Sequence, residues 1–173
     1  MEHAFVTKTV KDIEENLFQM IGEDWMLITA GYPKTEKYNT MTASWGGTGI
    51  LWGKPVAFCF IRPQRYTYTF TEAGNHLTLS FFHGKKRDAL KLCGSRSGRD
   101  CDKITLAGLT PVIEQPYVWF AEAETVLKCT KLYADDIKEA CFVDRSLLSN
   151  YENKDFHKMY ICEITEVLEK IKR

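Results

Sequence analysis

The sequence predicts a mainly β fold, a closed or split antiparallel β-barrel carrying a few short helices. Strand-length apolar segments recur along the 173 residues, helical periodicity is confined to short stretches, and no strand runs into a G-x-G-x-x-G turn. Recurring short strands with little helix between them fit an antiparallel barrel better than a parallel sheet, which needs a long crossover between neighbouring strands. The missing glycine fingerprint argues against a dinucleotide-binding Rossmann unit.

Residues 9–21 set Val10, Ile13, Leu17 and the Met20/Ile21 pair at i, i+3, i+4 spacing, with Asp12, Glu14 and Glu15 between them. That is the pattern of an amphipathic helix. Trp25 to Ala30 reads as a strand, closed by a Gly31-Tyr32-Pro33 turn. Met41 to Trp45 is a short strand that ends at Gly46-Gly47. Pro55 to Ile61 is continuously apolar, as in a strand buried on both faces, and Pro63 closes it. Tyr66 to Phe70 is a further short strand. From His76 to Phe82, Leu77, Leu79 and Phe81 alternate with Thr78, Ser80 and Phe82, the period of a half-buried strand. Lys86 to Cys93 is a short helix with Ala89, Leu90 and Cys93 on one face and Gly94 as its C-cap. Beyond a polar, glycine-containing loop at 94–102, two long strands are expected, from Tyr117 to about Tyr133 and from His157 to about Val167.

No repeat or linker divides the chain, so one domain over residues 1–173 is expected, long enough to bury a core without staples. The 23 basic and 23 acidic side chains cancel, which argues against a broad nucleic-acid or anionic-membrane footprint. The longest clean apolar run, Val56 to Ile61, falls far short of the ~20 residues of a bilayer span, and residues 1–8 lack a signal-peptide pattern. The cysteines at 59, 93, 101, 129, 141 and 162 include no C-x-x-C and no zinc-ligand spacing. Without a signal peptide they are expected to be reduced thiols in a cytoplasmic protein. No two histidines pair with a carboxylate at metal-ligand spacing, so no metal site is expected. His76 and His83 read as surface or strand-edge residues, and His3 lies in the terminus. No G-x-S-x-G marks a nucleophile.

Three segments combine residue types suited to a ligand. Asn39-Thr40-Met41-Thr42-Ala43-Ser44-Trp45-Gly46-Gly47 gathers hydroxyls, a Trp and paired glycines at a strand end, where backbone N–H groups can approach a flat ligand. An ordinary Thr/Ser strand edge would look the same. Ile61-Arg62-Pro63-Gln64-Arg65-Tyr66-Thr67 ends an apolar strand with two guanidinium forks, which match phosphate oxygens. A solvated loop with surface ion pairs is the alternative. In Gly94-Ser95-Arg96-Ser97-Gly98-Arg99-Asp100-Cys101-Asp102-Lys103, glycines and serines can form an anion-binding nest beside the Lys103 charge, or simply a flexible polar loop.

Together with Pro55, the His76–Phe82 strand and its helix, and His157-Lys158-Met159-Tyr160-Ile161-Cys162-Glu163-Ile164, these segments resemble the flavin reductase-like family of the FMN-binding split barrel. The resemblance runs from about Asp24 to Val167. It implies FMN held noncovalently between the subunits of a homodimer. The backbone of Met41, Thr42, Ala43, Ser44 and Trp45 would line the isoalloxazine ring, and Asn39 would also bind the cofactor. Arg65, Tyr66 and Thr67 would lie near the ribityl phosphate with Arg62 close by, and Ser95, Ser97 and Lys103 would approach it from the other loop. The Ser80-Phe81-Phe82-His83 stretch, Phe82 in particular, matches a strand end along the flavin. His157 keeps the family's histidine position and is the candidate catalytic residue beside nicotinamide or flavin, with capping of the sheet edge as its structural alternative. Where the family usually has Gly after His and four residues, this chain has Cys162, which adds a side chain to a close-packed strand.

The resemblance implies an FMN-dependent oxidoreductase that takes electrons from NAD(P)H and passes them to a small-molecule or protein acceptor. Hydride transfer between two rings needs alignment rather than a general base. A flavoredoxin-like electron carrier with FMN but no NAD(P)H site is the rival, because no nicotinamide motif stands out. Strand alternation further predicts that Ser44 faces the ring while Trp45 offers its backbone N–H there and packs its side chain away, unless Gly46-Gly47 breaks the alternation.

Overall fold

The computed structural model of the chain describes residues 5–32, 35 and 37–171. In chain order the strands are β1 (Phe5–Lys8), β2 (Met26–Gly31), β3 (Tyr38–Ala43), β4 (Gly46–Leu51), β5 (Lys54–Ile61), β6 (His76–Phe81), β7 (Pro111–Glu114), β8 (Tyr117–Phe120), β9 (Thr125–Asp136) and β10 (Lys158–Lys170). Three helices interrupt them: α1 (Tyr66–Ala73), α2 (Arg87–Ser95) and the single turn α3 (Lys103–Leu106). One antiparallel sheet runs β3-β2-β6-β9-β10-β5-β4, with β1 added to β10, while β7 and β8 form a separate hairpin. Its end strands, β3 and β4, are consecutive in the chain and joined only by Ser44 and Trp45. The sheet therefore curls back on itself, and the barrel is split at that link.

The alternation of β2 divides the interior. Met26, Ile28 and Ala30 meet Leu77, Leu79, Phe81, Leu127 and Tyr160 inside the barrel. Leu27 points the other way, into a second cluster with Phe82, Leu90, Trp119, Phe120 and Val126 that α2 and β8 cover. Each large apolar side chain so buried contributes roughly 1.5–3 kcal/mol. The six cysteines are free thiols. Cys162 projects into the barrel core with Cys59 and Cys129, all three fully buried, so the side chain that replaces the family's Gly is absorbed by the interior. Among the described residues, no helix is long and apolar enough to cross a membrane.

Several elements depart from the expectations. Residues 9–21 do not form one helix. Thr9 closes a capping box with Asp12, its N–H donating to Asp12 Oδ2 at 2.7 Å, and this completes a single 3₁₀ turn over Val10–Asp12. Ile13 is then extended, and a π turn follows over Gln19–Glu23. Val10, Ile13 and Leu17 still pack on the barrel core, and Met20 and Ile21 lie within it. The spacing identified the buried side chains but not the backbone that delivers them. Tyr66 to Phe70, read as a strand, is the start of helix α1. Its Tyr/Thr alternation favours a strand, but Thr67, Phe70 and Thr71 bury one helical face, and the Thr69 and Thr71 hydroxyls donate back to the Tyr66 and Thr67 carbonyls.

The strand expected from Tyr117 to Tyr133 is two, because the chain turns over residues 121–124, where Ala121 and Ala123 are fully buried and the Glu124 N–H bonds the Phe81 carbonyl. Gly94 lies within α2, not after it, since the Arg96 N–H closes the last turn on the Leu92 carbonyl. In β5, Val56, Ala57, Cys59 and Ile61 are buried, but Phe58 and Phe60 are only half-buried, so a single face is fully enclosed. Strands β1, β4 and β7 were not anticipated. Pro33 of the expected turn and His3 fall outside the described residues.

Candidate functional site

β5 and β10 run antiparallel with Ile61 opposite Lys158, so the residues one step beyond that pair, Arg62 and His157, emerge together at one end of the barrel. The β3–β4 link joins them there. A cavity of about 300 Å³ results, lined by Met41, Thr42, Ala43, Ser44 and Trp45 from β3 and its link, and by Phe60, Arg62, Gln64, Arg65 and His157. That is the lower end of the size range of small-molecule sites.

His157 is 8% exposed. Its Nδ1 lies 2.8 Å from the Tyr151 hydroxyl, and its ring centroid is 5.3 Å from that of Trp45. Burial, reinforced by the Arg62 and Arg65 charges and opposed by Asp155, pushes its pKa down to about 4. The imidazole is therefore neutral at neutral pH. Arg62 is engaged inside the protein: its guanidinium meets Asp155 and the Asn150 carbonyl and lies over the Tyr151 ring. Gln64 donates to the same Asp155 oxygen. The expectation of Arg62 beside an anion gives way to an ion pair that closes the rim of the cavity.

A smaller cavity of about 130 Å³ shares Met41, Gln64 and Arg65 with the first and adds Tyr66, Thr67, Ser95, Arg96, Ser97 and Lys103. Lys103 is 3% exposed, and its ammonium donates to two carbonyls, Cys93 and Arg96, each at 3.2 Å. Arg65 donates to the Gly94 carbonyl at 2.8 Å. Neither cation meets a carboxylate among the described residues. Burial lowers the pKa of both; Arg62 adds to the effect on Arg65, and Arg65 to that on Lys103. Helix α1 begins at the same cavity without a side-chain cap, so the N–H groups of Tyr66 and Thr67 have no intrahelical acceptor and carry the positive end of the helix dipole. The Ser97 hydroxyl accepts from the Arg99 N–H at 3.2 Å and keeps its own proton to donate. Buried Lys103, half-buried Arg65, an uncapped helix start and a hydroxyl donor together suit an anion of the phosphate kind.

Asn39 and Thr67 hold this arrangement together. The Asn39 amide donates to Thr67 Oγ1 at 2.8 Å and to the Thr40 carbonyl at 3.2 Å, which ties β3 to α1. The loop after α2 lies directly on it: a Cβ on Gly98 would fall 2.2 Å from Asn39 Oδ1, so any larger residue there must displace the Asn39 amide.

The remaining expected residues sort unevenly. The Thr42 hydroxyl bonds the Leu90 carbonyl of α2 while the residue still lines the cavity. Ser95 lines the smaller cavity, but its hydroxyl donates back to the Lys91 and Leu92 carbonyls. Phe82 is not brought to the site; it is buried in the second core cluster, and Ser80 and Phe81 beside it are buried too. His83 bonds Thr125 instead. Ser44 lines the cavity as expected. The Trp45 side chain does not pack away: it is 48% exposed and forms the wall between the main cavity and an apolar groove of about 430 Å³ that also takes in Leu17, Phe18 and Ile21. Residues 44 and 45 are outside both strands, so alternation does not govern them. The sequence reading passed over Phe60, Gln64 and Arg96, which lay inside segments already singled out. It also missed Tyr151 and Asp155, which come from the connection over residues 137–157 and carry no local signal.

The family model for the flavin reductase like domain matches residues 20–171. Among solved structures, an FMN-binding domain of a flavin reductases-like enzyme from Shewanella baltica OS155 is similar at TM-score 0.66 and 14% identity, covering 98% of this chain and 79% of its own. Flavoredoxin of Desulfovibrio vulgaris (Miyazaki F) follows at 0.63 and 20%, covering 86% and 69%. The NADH:FAD oxidoreductase of Streptomyces globisporus C-1027, in complex with NAD and FAD fragments, gives 0.62 and 13%, covering 84% and 74%. At these identities the likeness is one of fold. No curated protein matches the sequence significantly.

Proposed function

Since the chain belongs to the flavin reductase-like family, we propose that it binds FMN along these joined cavities and works as an NAD(P)H-dependent flavin reductase, passing electrons to a small-molecule or protein acceptor. The observation that carries the reading is buried Lys103 beside half-buried Arg65, neither meeting a carboxylate among the described residues, at the uncapped start of α1. Burying an unpaired charge is costly. A phosphate of matching charge removes that cost, so the donor set fits FMN better than a neutral ligand.

Arg65, Lys103, Ser97 and the first N–H groups of α1 would hold the phosphate. Met41–Trp45, Phe60 and His157 would enclose the ring. When bound, FMN would supply hydride and single-electron transfer. The chain's own contribution is to align and to shield. The β3–β4 link fixes the ring's edge, Phe60 and Trp45 exclude water, and neutral His157 offers a polar contact without adding charge. Arg62 acts indirectly, by holding the 137–157 connection against the cavity through Asp155 and Asn150.

A homodimer belongs to the same proposal. Phe18 and Trp45 are exposed on the groove beside the cavity, and Ile50 and Trp52 are exposed at the far end of β4, where a second copy would cover them. Anaerobic titration tests the whole reading. FMN-loaded protein should lose its visible flavin band on adding NADH or NADPH; bleaching only by dithionite or a reduced protein partner replaces the reductase with a carrier. Protein that takes up no FMN overturns both.

A further inference from the structure

Tyr151 stands outside every segment that pointed to the site, yet its hydroxyl makes the one side-chain hydrogen bond of His157 among the described residues, at 2.8 Å to Nδ1. Its ring is fixed on both sides. Phe156 stacks on it with centroids 4.8 Å apart, and the Arg62 guanidinium lies 5.1 Å from its centre. Arg62 also grips the same connection at Asn150 and Asp155. This much ordering of a loop, directed at one buried hydroxyl, gives that hydroxyl a defined task.

We propose that Tyr151 is a positioning residue that fixes His157 as the Nε2–H tautomer, an uncharged donor presented to a carbonyl-type oxygen of the ligand that shares the cavity. The Tyr151 hydroxyl is buried and has no other partner among the described residues. If Nδ1 carried the ring proton, the phenolic hydrogen would be left without an acceptor, at the cost of an unsatisfied buried donor. With Nδ1 accepting, both groups are satisfied and the ring proton sits on Nε2, which has no partner among the described residues and is accessible on a residue that lines the cavity. The charged groups around the ring keep it neutral. Arg62 and Arg65 disfavour an imidazolium, and the opposing carboxylate of Asp155 is held by Arg62 and Gln64. A neutral N–H has no preference for an anion and suits the lone pair of a ketone, quinone or carboxamide. The ligand class rests on the flavin reading of the groove; the tautomer does not.

The test is long-range ¹H–¹⁵N NMR of histidine-labelled, ligand-free protein, with His157→Gln to assign the resonances. Wild type should give an acceptor-type Nδ1 and a protonated Nε2 at neutral pH. Tyr151→Phe keeps the ring between Arg62 and Phe156 and should retain the fold while the single-tautomer pattern is lost. A purely structural tyrosine would lower stability and leave the tautomer as it was. An Nδ1–H tautomer in wild type, or an unchanged pattern in Tyr151→Phe, overturns the proposal; the wild-type spectrum decides even if the variant does not fold. Free nicotinamide added to FMN-loaded wild type should shift the Nε2 resonance through its carboxamide oxygen, and no shift overturns the ligand class. FMN uptake, measured on the same sample, fails separately if the flavin reading is wrong.

Discussion

Acidification should destabilise this fold through His157 alone by an amount that can be worked out. Its pKa is about 4 in the folded chain, against 6.5 for an ordinary histidine. Between those values the unfolded chain binds a proton that the folded one refuses, so stability rises with pH across the window and falls as pH drops through it. The gap of 2.5 units, at 1.36 kcal/mol each, amounts to roughly 3 kcal/mol between pH 7 and pH 4. With only 8% of the residue exposed, solvent screening removes little of it. Urea denaturation at pH 7, 5.5 and 4 measures the slope, and His157→Gln, measured at the same pH values, separates it from the contribution of the carboxylates. The variant should be less stable than wild type at pH 7 and lose about 3 kcal/mol less on going to pH 4. Parallel pH profiles for the two proteins would mean that the imidazole titrates normally, and the argument for a neutral, buried ring would fall.

Lys103→Met removes a buried charge that has only carbonyl partners, so FMN binding should weaken by about 1.5–3 kcal/mol while the ligand-free protein stays as stable or gains. Riboflavin, which lacks the phosphate, should bind both proteins alike by fluorescence titration. Arg65→Ala should show the same contrast, and an equal loss for both ligands would remove Arg65 from the phosphate. Trp45→Phe keeps an aromatic wall beside His157 and should retain FMN with a modest loss, whereas Trp45→Ala should cost at least about 1 kcal/mol of affinity; no change in either would take the side chain out of the site. Gly98→Ala forces a Cβ onto Asn39 and should lower stability by about 1–3 kcal/mol in thermal melts.

The parts of the fold that were legible follow from local rules, and the parts that were not follow from distant contacts. β2, β6 and β10 announce themselves because each carries an apolar face long enough to show a period. The helix expected at 9–21 fails for a reason its own residues contain, since Thr9 and Asp12 satisfy each other within one turn, but only the core decides that Ile13 then extends. α1 is the sharper case. Tyr66-Thr67-Tyr68-Thr69-Phe70 has every preference of a strand, and it is helical because Thr67, Phe70 and Thr71 pack on β2 and β3. The misassignment did not move Tyr66 and Thr67 away from the smaller cavity, since they stand first in the segment whichever way it folds.

The two arginines of the 62–67 segment mark where a sequence reading of the site stops. Each has a fork that matches phosphate, and nothing within the segment separates them. Asp155 does, from more than 90 residues along the chain: it neutralises Arg62 and turns it into a clamp on the 137–157 connection. Arg65 finds a carbonyl and no carboxylate among the described residues, which is what the proposed phosphate contact requires. Lys103 looks like any exposed lysine in a polar loop until α3 carries it under the Cys93 and Arg96 carbonyls. Strand ends gather the donors at one mouth, so their membership in the site can be read locally. Whether a donor's charge is already answered depends on a partner anywhere in the chain, and that is the property that divides a ligand contact from a structural ion pair.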